Sequence, residues 1–441
     1  MTFLSARRAI SAGIIAAGAV AAFVVPSAAS AALPGHCLGT STEGAGSSLQ
    51  AEAQLVWDPG FNASKAGCVG GPEVKYHSIG SGAGYKEWAV EKHFGTVGFV
   101  GTDNTVNLAE KEAVEKEVET GSSELLTVPV LQGAVTVSVN LPENCVATST
   151  QATGRLALNQ PMLEKIYSVG ATWKEVAEQE GAGNSITGAG CNLETPVKAV
   201  VRKDSSGTTH IFKKFLDLTS SALMASEDGK EHSWGELAEG SLSTKWPTAA
   251  KVVIPAETTG PGVLKEVAKT PGSIGYANLA DARNAANGGF TGESPQRFWV
   301  VLENSRKEKT TSKGLKVTRK YKDPATNGDV PATAESNCKK TEYANEKGSF
   351  PPPTVDSAWN EVSAKQFSKG YALCGLTYDL VLQNYTAFAG GTAAEAQTVK
   401  DMLGYETSKK GGAKDIKAHD YSALPKTLIA SAEEGVAKIE D

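Results

Sequence analysis

The segment that most constrains the fold is VKAVVRKDSSGTTHIFKKFL, which covers residues 197–216. It begins with a short run of small and β-branched apolar residues, which is typical of a buried strand. A turn rich in glycine and hydroxyl residues follows, and apolar residues then recur at the spacing of one helix face. The segment therefore predicts a strand that leads directly into a helix N-terminus.

A junction of this kind suits an anion, because free backbone N–H groups and the positive end of the helix dipole point to one place. Gly207 permits a close backbone approach, while Ser206 and Thr208 offer hydroxyl groups. Arg202 adds a guanidinium group that matches a tetrahedral oxyanion. The alternative is an ordinary N-cap cluster before an amphipathic helix, and this segment alone supports both interpretations equally.

Other stretches repeat the pattern. Small-residue turns at 44–48 and 80–84 also precede predicted helices, and the predicted strand over 97–102 ends at the carboxylate of Asp103. Strands that alternate with helices indicate an α/β fold with parallel sheets, in which ligands bind beyond the carboxyl ends of the strands. We therefore expect these turns to meet at one anion site.

Two regions interrupt the alternation of strands and helices. Two β-rich runs, 126–130 and 134–139, are separated by Gln132 and Gly133, which predict a crossover between two strands. Residues 303–370 are rich in Lys, Thr, Ser, Asn and Pro, and this composition predicts an insertion with long loops around a few short elements. A charged helix is expected over 110–119.

The first 31 residues have the pattern of a secretory signal peptide. Arg7 and Arg8 precede an uncharged apolar run, and small residues end at Ala31, where we expect cleavage. The apolar run is shorter than the ~20 residues that a membrane-spanning helix needs, so a membrane anchor is the weaker alternative. No lipobox surrounds Cys37. We expect a periplasmic or secreted protein, exported by the Sec or the Tat route.

Charge restricts the classes of partner. Without Arg7 and Arg8 the chain has 41 basic and 49 acidic side chains, a net charge of −8. This balance argues against general nucleic-acid binding, so an anion site must be a local arrangement.

The six cysteines predict disulfides, because an even number in an exported chain is typical of a disulfide framework. Metal binding is the weaker interpretation, since the sequence contains no Cys-x-x-Cys pair. We favour consecutive pairing because each pair then flanks one predicted strand–helix unit. The expected pairs are Cys37–Cys68, Cys145–Cys191 and Cys338–Cys374.

A secreted phosphatase or esterase is the enzymatic alternative. Such an enzyme needs a nucleophile with its base, a metal cluster or a Gly-x-Ser-x-Gly elbow, and no such motif is present. His210 follows the anion turn and could act as a base, but we expect it to pack or to face outward. We expect no enzymatic activity, no bound metal and no cofactor.

Five motifs in this order resemble the phosphate-specific substrate-binding proteins of bacterial ABC transporters. They are GAGSS (44–48), IGSGAG (79–84), GFVGTD (98–103), VVRKDSSGTT (200–209) and PGSIGY (271–276). The resemblance extends from about residue 44 to 281 and from 371 to the C-terminus. It implies a type II periplasmic-binding-protein fold, in which two mixed sheets flanked by helices form two lobes. Lobe 1 would comprise 32–131 and 374–441, lobe 2 would comprise 132–373, and two crossing strands near Gln132 and Cys374 would form the hinge.

The resemblance also implies the ligand contacts. The implied phosphate-binding residues are Ser48, Leu49 (through its backbone N–H), Ser81, Asp103, Arg202, Ser206, Gly207 and Thr208, and Asp204 would orient the guanidinium. Asp103 would accept a proton from the ligand, which phosphate can donate and sulfate cannot. Three features depart from the family. Ser48 replaces a frequent threonine, Leu49 replaces a common aromatic residue, and the 303–370 insertion has no clear counterpart.

The expected function is therefore binding of inorganic phosphate between two lobes and delivery to an ABC transporter permease. We expect the protein to act as a monomer. The alternatives are a secreted phosphate scavenger or sensor that meets no permease, a protein for another oxyanion such as sulfate or molybdate, and the secreted phosphatase.

Overall fold

The computed structural model describes most of the chain. The described residues are 33–89, 97–104, 123–218, 223–225, 230–239, 242–247, 253–290, 296–311, 314–325, 335–344, 349–365, 369–387 and 390–440. The predicted signal peptide and the charged helix expected over 110–119 lie outside them. Within these ranges, no helix has the length and apolar character needed to cross a membrane.

The helices of the described ranges lie between Ala51 and Ala437. They are α1 (Ala51–Ala63), α2 (Ser81–Ala89), α3 (Gln160–Ser168), α4 (Trp173–Glu178), α5 (Gly207–Asp217), α6 (Trp234–Leu237), α7 (Thr259–Lys269), α8 (Leu279–Arg283), α9 (Asp356–Trp359), α10 (Ala393–Thr407), α11 (Gly412–Asp415) and α12 (Lys426–Ala437). Short 3₁₀ helices cover Ala285–Asn287, Tyr385–Ala387 and Ile416–His419.

The described strands alternate with these helices. They are β1 (Thr42–Gly46), β2 (Val74–Ser78), β3 (Val97–Thr102), β4 (Leu125–Asn140), β5 (Val146–Ser149), β6 (Ala157–Leu158), β7 (Asn184–Thr187), β8 (Lys198–Arg202), β9 (Leu223–Ala225), β10 (Glu231–Ser233), β11 (Val253–Glu257), β12 (Ser273–Asn278), β13 (Arg297–Trp299), β14 (Val301–Thr311), β15 (Gly314–Lys322), β16 (Tyr343–Ala344), β17 (Ser363–Ala364), β18 (Cys374–Leu382) and β19 (Tyr421–Ala423).

One mixed sheet organises the fold, and the long strand β4 lies at its centre. The strand order is β11-β8-β12-β4-β18-β3-β1-β2, with β13 and β19 also paired to β4. The part of β4 up to Ala134 pairs with β18, and the part from Val135 onward pairs with β12. We call β2, β1, β3, β18 and the first part of β4 the first half, and the second part of β4 with β12, β8 and β11 the second half. The α/β fold with two groups of strands and flanking helices agrees with the sequence prediction.

The runs over 126–130 and 134–139 form one strand, because β4 continues through Gln132 and Gly133, and the predicted crossover is the passage of β4 from the first half of the sheet to the second. All 16 residues of the strand are buried. Gly133 is opposite Gly375 in β18 and Tyr421 in β19, so pairing on both sides maintains the strand there. A Cβ atom at position 133 would lie 2.7 Å from Cδ2 of Leu49, so this glycine serves packing and does not interrupt the strand. The two predicted sheets are consequently joined into one.

The second half has an aromatic core that fixes the position of α5. Phe212 of α5 stacks on Tyr276 of β12 with ring centroids 4.4 Å apart, and Tyr167 contacts both rings. The helix is strongly amphipathic, and Ile211, Phe215 and Leu216 are buried with Phe212. Burial of these side chains holds the N-terminus of α5 at the end of β8.

The prediction of long loops over 303–370 is wrong for its first part. β14 and β15 form a regular antiparallel hairpin from Leu302 to Lys322. The prediction rested on composition, and a high content of Lys and Thr is typical of loops. An antiparallel ribbon can also carry such polar side chains, on a face that is exposed to solvent. The later part packs on the first half, where the Pro353 carbonyl accepts the Thr127 N–H at 2.8 Å.

Three disulfides join Cys37 to Cys68, Cys145 to Cys191 and Cys338 to Cys374, with Cα–Cα distances of 5.3, 4.9 and 5.8 Å. These are the consecutive pairs that the sequence analysis favours. His36 and Asp401 lie beside the first pair, with potential ligand atoms within 4.8 Å of one another. Because both sulfurs there are bonded to each other, this group offers a metal no thiolate.

Candidate functional site

The segments that follow five strand ends meet between the two halves of the sheet. In the first half β1 runs parallel to β2 and β3, and in the second half β11 runs parallel to β8. Their carboxyl ends lead into the serines at 47 and 48, the start of α2, Asp103, the turn before α5 and the start of α7. Contacts among these segments define the candidate site.

Arg202 ends β8 and supplies the positive charge of the site. Its side chain is 2% exposed, and it pairs with Asp204 through Nε–Oδ1 and Nη2–Oδ2 contacts of 2.7 and 2.5 Å. Its Nη1 donates to the Ser48 hydroxyl oxygen at 3.4 Å. Arg202 is therefore buried and Asp204 is half-buried, so this contact is not a fully exposed ion pair, which would contribute little to stability. A guanidinium has further N–H donors beyond these contacts, and they can bind an anion.

Asp103 follows β3 and supplies the carboxylate. Its Oδ1 accepts a hydrogen bond from the Ser47 hydroxyl, and its Oδ2 accepts one from the Thr208 hydroxyl at 2.9 Å. Burial raises the pKa of Asp103 to about 6, while the two hydroxyl groups and the Arg202 charge oppose that rise. Since Thr208 belongs to α5, this carboxylate also joins the two halves.

The N-terminus of α5 approaches Asp103 very closely. A Cβ atom at position 207 would lie 2.7 Å from the Asp103 Cβ, so the contact requires the glycine. Ser206 is the N-cap residue, and its hydroxyl oxygen accepts the Thr209 N–H at 3.2 Å. Ser206 therefore has the N-cap role that the alternative interpretation expected. Gly207 and Thr208 instead contact Asp103 across the site.

Ser81 begins α2 and is 3% exposed. Its hydroxyl group is buried and has no hydrogen-bond partner within the described ranges. The neighbouring Gly82 N–H donates to the Ser205 carbonyl at 3.2 Å, which places the start of α2 beside the Arg202–Asp204 pair. A buried hydroxyl without a partner costs about 1–3 kcal/mol, so this group indicates a ligand contact.

Ser48 and Leu49 lie where β1 leads into α1. The Ser48 hydroxyl oxygen accepts the Gly260 N–H at 3.2 Å, in addition to its contact with Arg202. The Leu49 N–H donates to the Ser47 hydroxyl oxygen at 3.0 Å. The Leu49 side chain packs against Gly133 of β4 and is 1% exposed, so it belongs to the apolar core beneath the site.

Sequence reasoning missed several residues of this site. They are Ser47, Thr259, Gly260, Tyr276 and Asn278. The start of α7 could have been found, because β11 and a hydroxyl–glycine turn precede it as at α5. Asn278 donates to the Ser48 carbonyl at 3.2 Å, a contact between distant segments that leaves no local signal.

His210 is buried on α5, and its Nδ1 lies 3.0 Å from the Ala238 carbonyl oxygen. Burial lowers the pKa of His210 to about 3, and the Lys214 and Lys213 charges add to this effect. The expectation that His210 packs is confirmed.

The chemistry of the site follows from these contacts. The buried side chains of Arg202 and Asp103, several hydroxyl groups and the N-termini of α2, α5 and α7 surround one region, and the buried Asp281 lies beside the start of α7. Donors and the helix dipoles favour a tetrahedral oxyanion, and a carboxylate beside them favours an oxyanion that still carries a proton.

Comparison with curated proteins gives two similar relatives. Residues of this chain are 29% identical over 216 positions to the phosphate-binding protein PstS 3 of Mycobacterium leprae, covering 48% of this chain and 52% of the relative. They are 30% identical over 212 positions to the phosphate-binding protein PstS of Methanocaldococcus jannaschii, covering 48% of each. The chain thus spans about half the length of the curated relatives it matches.

Solved structures share the fold over most of the chain. A phosphate-binding protein from Stenotrophomonas maltophilia superimposes with a TM-score of 0.55 at 18% identity, covering 89% of this chain and 92% of that one. A periplasmic phosphate-binding protein solved with phosphate gives a TM-score of 0.53 at 19% identity, with coverages of 89% and 93%. A family model described as a PBP superfamily domain matches residues 29–342. Because that match covers more than half of the sequence, the chain belongs to the PBP superfamily.

Proposed function

We propose that this chain binds inorganic phosphate between the two halves of the sheet. The observation that carries the proposal is the Ser81 hydroxyl, which is buried without a partner among the described residues, beside the buried Arg202 and its partner Asp204. A tetrahedral oxyanion in contact with Arg202 would supply that partner. The curated relatives are named phosphate-binding proteins, which supports phosphate as the oxyanion.

Asp103 would select phosphate over sulfate. An ionised carboxylate only accepts hydrogen bonds, so it is satisfied by the proton that phosphate retains near neutral pH and opposes the fully ionised sulfate. A site that is built around a ligand O–H can reject an analogue without it by as much as ~10⁴-fold. Ser48, Ser81 and the amide groups at the starts of α2, α5 and α7 would hold the remaining oxygen atoms.

The two halves of the sheet support the two-lobed interpretation. Lobe 1 would contain 32–131 and 374–441, and lobe 2 would contain 132–373, with the hinge near Gln132 and Cys374. β4 passes from one half to the other in this region, and β18 begins at Cys374. Ligand exchange would then require rotation about these strands and loss of the Asp103–Thr208 bond.

The protein would act outside the cytoplasm as a monomer that delivers phosphate to an ABC transporter permease. Three disulfides favour an oxidising compartment, and one similar solved structure is titled a periplasmic phosphate-binding protein. Export would depend on the signal peptide predicted to end at Ala31.

Calorimetric titration of the protein without residues 1–31 tests the binding proposal. We expect saturable binding of one phosphate, competition by arsenate, which has the same protonated tetrahedral form, and far weaker binding of sulfate. Equal affinity for phosphate and sulfate would contradict the role of Asp103, and absence of phosphate binding would overturn the proposal. Hydrolysis of p-nitrophenyl phosphate by the same sample would instead favour the phosphatase alternative.

A further inference from the structure

The hairpin of β14 and β15 has a charge opposite to that of the rest of the chain. Residues 305–322 contain eight Lys or Arg residues and one Glu, a net charge of +7. The whole chain has a net charge of −6, which leaves −13 for the other residues. Such a concentration of one sign in a regular element indicates a surface for an anionic partner.

The strand register places lysines together on one face of the hairpin. Lys307 is opposite Thr318, Lys309 is opposite Lys316, and Lys320 is opposite Ser305. Directly opposed residues share a face of an antiparallel pair, and positions two apart along a strand share it too. We call these six positions the lysine face. Every charged residue on it is a lysine, and Lys307, Lys309 and Lys320 are exposed.

The opposite face of the hairpin attaches it to the body of the protein. Arg319 pairs with the buried Glu303 at 2.7 Å, and a Glu303 oxygen accepts the Gln160 N–H at 3.0 Å. In contrast, no carboxylate of the described residues pairs with Lys307, Lys309 or Lys320. The like charges on the lysine face repel one another, and an external anionic surface would offset that repulsion.

The base of the hairpin continues the positive surface. The Lys322 ammonium group donates to the Lys369 carbonyl oxygen, and the exposed Lys340 lies close enough to affect Lys322 electrostatically. Lys369 is also exposed. The positive region therefore extends from the ribbon to Lys340 and Lys369 at its base.

We infer that the lysine face docks on a lipid bilayer that contains anionic phospholipid. The register places the lysines on one face of the ribbon, so a single extended surface can contact several of them together. Lysine is a hydrated point charge that suits diffuse attraction, whereas arginine suits bidentate contacts to single phosphates. Besides lysine the face carries only serine and threonine, so it has no aromatic group on which nucleic-acid bases could stack.

The disulfides support the same partner over nucleic acid, because they favour an oxidising compartment outside the cytosol. Membrane surfaces face such compartments. This inference does not depend on phosphate binding, since the lysine face shares no residue with the candidate site.

Cosedimentation with vesicles tests the inference. The full mature protein is mixed with vesicles of phosphatidylglycerol and phosphatidylcholine, and with vesicles of phosphatidylcholine alone. The test variant is Lys307→Gln/Lys309→Gln/Lys320→Gln. The control variant Lys409→Gln/Lys410→Gln/Lys426→Gln removes the same charge from exposed lysines outside the hairpin. Phosphate titration and thermal unfolding of both variants check that they remain folded.

We expect binding of the wild type to the mixed vesicles, weakened by salt, and little binding to phosphatidylcholine alone. Each lysine near an anionic surface changes partitioning roughly fivefold, so the test variant should bind about 100-fold more weakly. The control should remain within about twofold of the wild type, because its lysines lie off the docking face. Equal loss in both variants, no loss in the test variant, or binding of soluble polyphosphate without binding of the mixed vesicles would overturn the inference.

Discussion

The two sides of the candidate site contribute opposite chemistry. The first half supplies the Asp103 carboxylate and the hydroxyl groups of Ser47, Ser48 and Ser81, whereas the second half supplies Arg202 and the N-termini of α5 and α7. The two sides also contact each other directly, in the Asp103–Thr208 and Ser48–Arg202 bonds. The comparison teaches that, under the proposed function, the cation that attracts the anion and the carboxylate that selects its protonation state belong to different halves.

Replacement of the carboxylate should have the largest effect, and it acts on selectivity. In Asp103→Asn the amide can donate a hydrogen bond, so sulfate is no longer opposed. The ratio of the affinity for phosphate to the affinity for sulfate should fall, by as much as ~10⁴-fold. Calorimetric titration with both anions measures this ratio. The control variant is Asp217→Asn, which replaces an exposed aspartate at the end of α5. An unchanged preference would exclude Asp103 as the proton acceptor.

Removal of the cation should lower the affinity for all oxyanions. Arg202→Ala deletes the donors and leaves the Asp204 carboxylate without its partner, so phosphate binding should weaken by about 2–5 kcal/mol. Arg202→Lys keeps the charge but loses the two-pronged contact with Asp204, and it should retain part of the affinity. Calorimetry on the three proteins measures this. Wild-type affinity in the alanine variant would show that the second half does not supply the attraction.

Buried carboxyl groups beneath the first half should make stability depend on pH. Asp379 and Glu406 are both fully buried, and Asp379 Oδ1 accepts the Gln50 side-chain N–H at 2.7 Å. Burial raises the pKa of Asp379 to about 7, and the nearby Asp58 also has a pKa raised to about 7, chiefly by burial. For a raised acid pKa the folded state binds more protons, so stability is lost as the pH rises from the ordinary value through the raised one.

The free energy of unfolding should therefore fall as the pH rises from about 4 to about 7, the range between the ordinary and the raised pKa of Asp379. The fall should amount to a few kcal/mol, at roughly 1.4 kcal/mol per pKa unit. Asp379→Asn should flatten the dependence, whereas the exposed Glu433→Gln should not. Urea unfolding at several pH values measures this dependence of the free energy of unfolding on pH. A dependence that is equally steep in Asp379→Asn would contradict this account.

A pair of serine substitutions should separate ligand binding from helix capping, with the smallest effects. Ser81→Ala removes a hydroxyl that lacks a protein partner among the described residues, so it should cost phosphate affinity about 1–3 kcal/mol without lowering the free energy of unfolding. Ser206→Ala removes the N-cap of α5, so it should lower the free energy of unfolding by about 0.5–2 kcal/mol. Calorimetry and urea unfolding on both variants distinguish the roles. Lower stability with full affinity in Ser81→Ala would refute the ligand contact.

Local patterns in the sequence were sufficient to find most elements that surround the site. A strand, a glycine–hydroxyl turn and a helix follow one another in the chain, so their junctions at 44–48, 80–84 and 203–207 can be read from neighbouring residues. Asp103 could also be found, because it directly follows a buried strand. The family resemblance added the expectation that these junctions meet.

Contacts between distant segments could not be predicted in this way. Whether Ser47 or Ser48 contacts Asp103 depends on the backbone geometry after β1, where Gly46 has a φ of 139°. Gly133 resembles a strand break in sequence, but its role is to admit Leu49, which is 84 positions away. The hairpin was missed because composition alone does not distinguish a lysine- and threonine-rich ribbon from a loop.

The central position of β4 has a consequence for how the protein melts. Both groups of strands depend on this one segment for hydrogen-bond partners, since it pairs with β18 and β19 on one part and with β12 and β13 on the other. Because the two ladders adjoin at Ala134 and Val135 of one continuous strand, disorder in one group reaches directly into the strand that the other group needs. Heating should therefore produce a single cooperative transition rather than two separate ones.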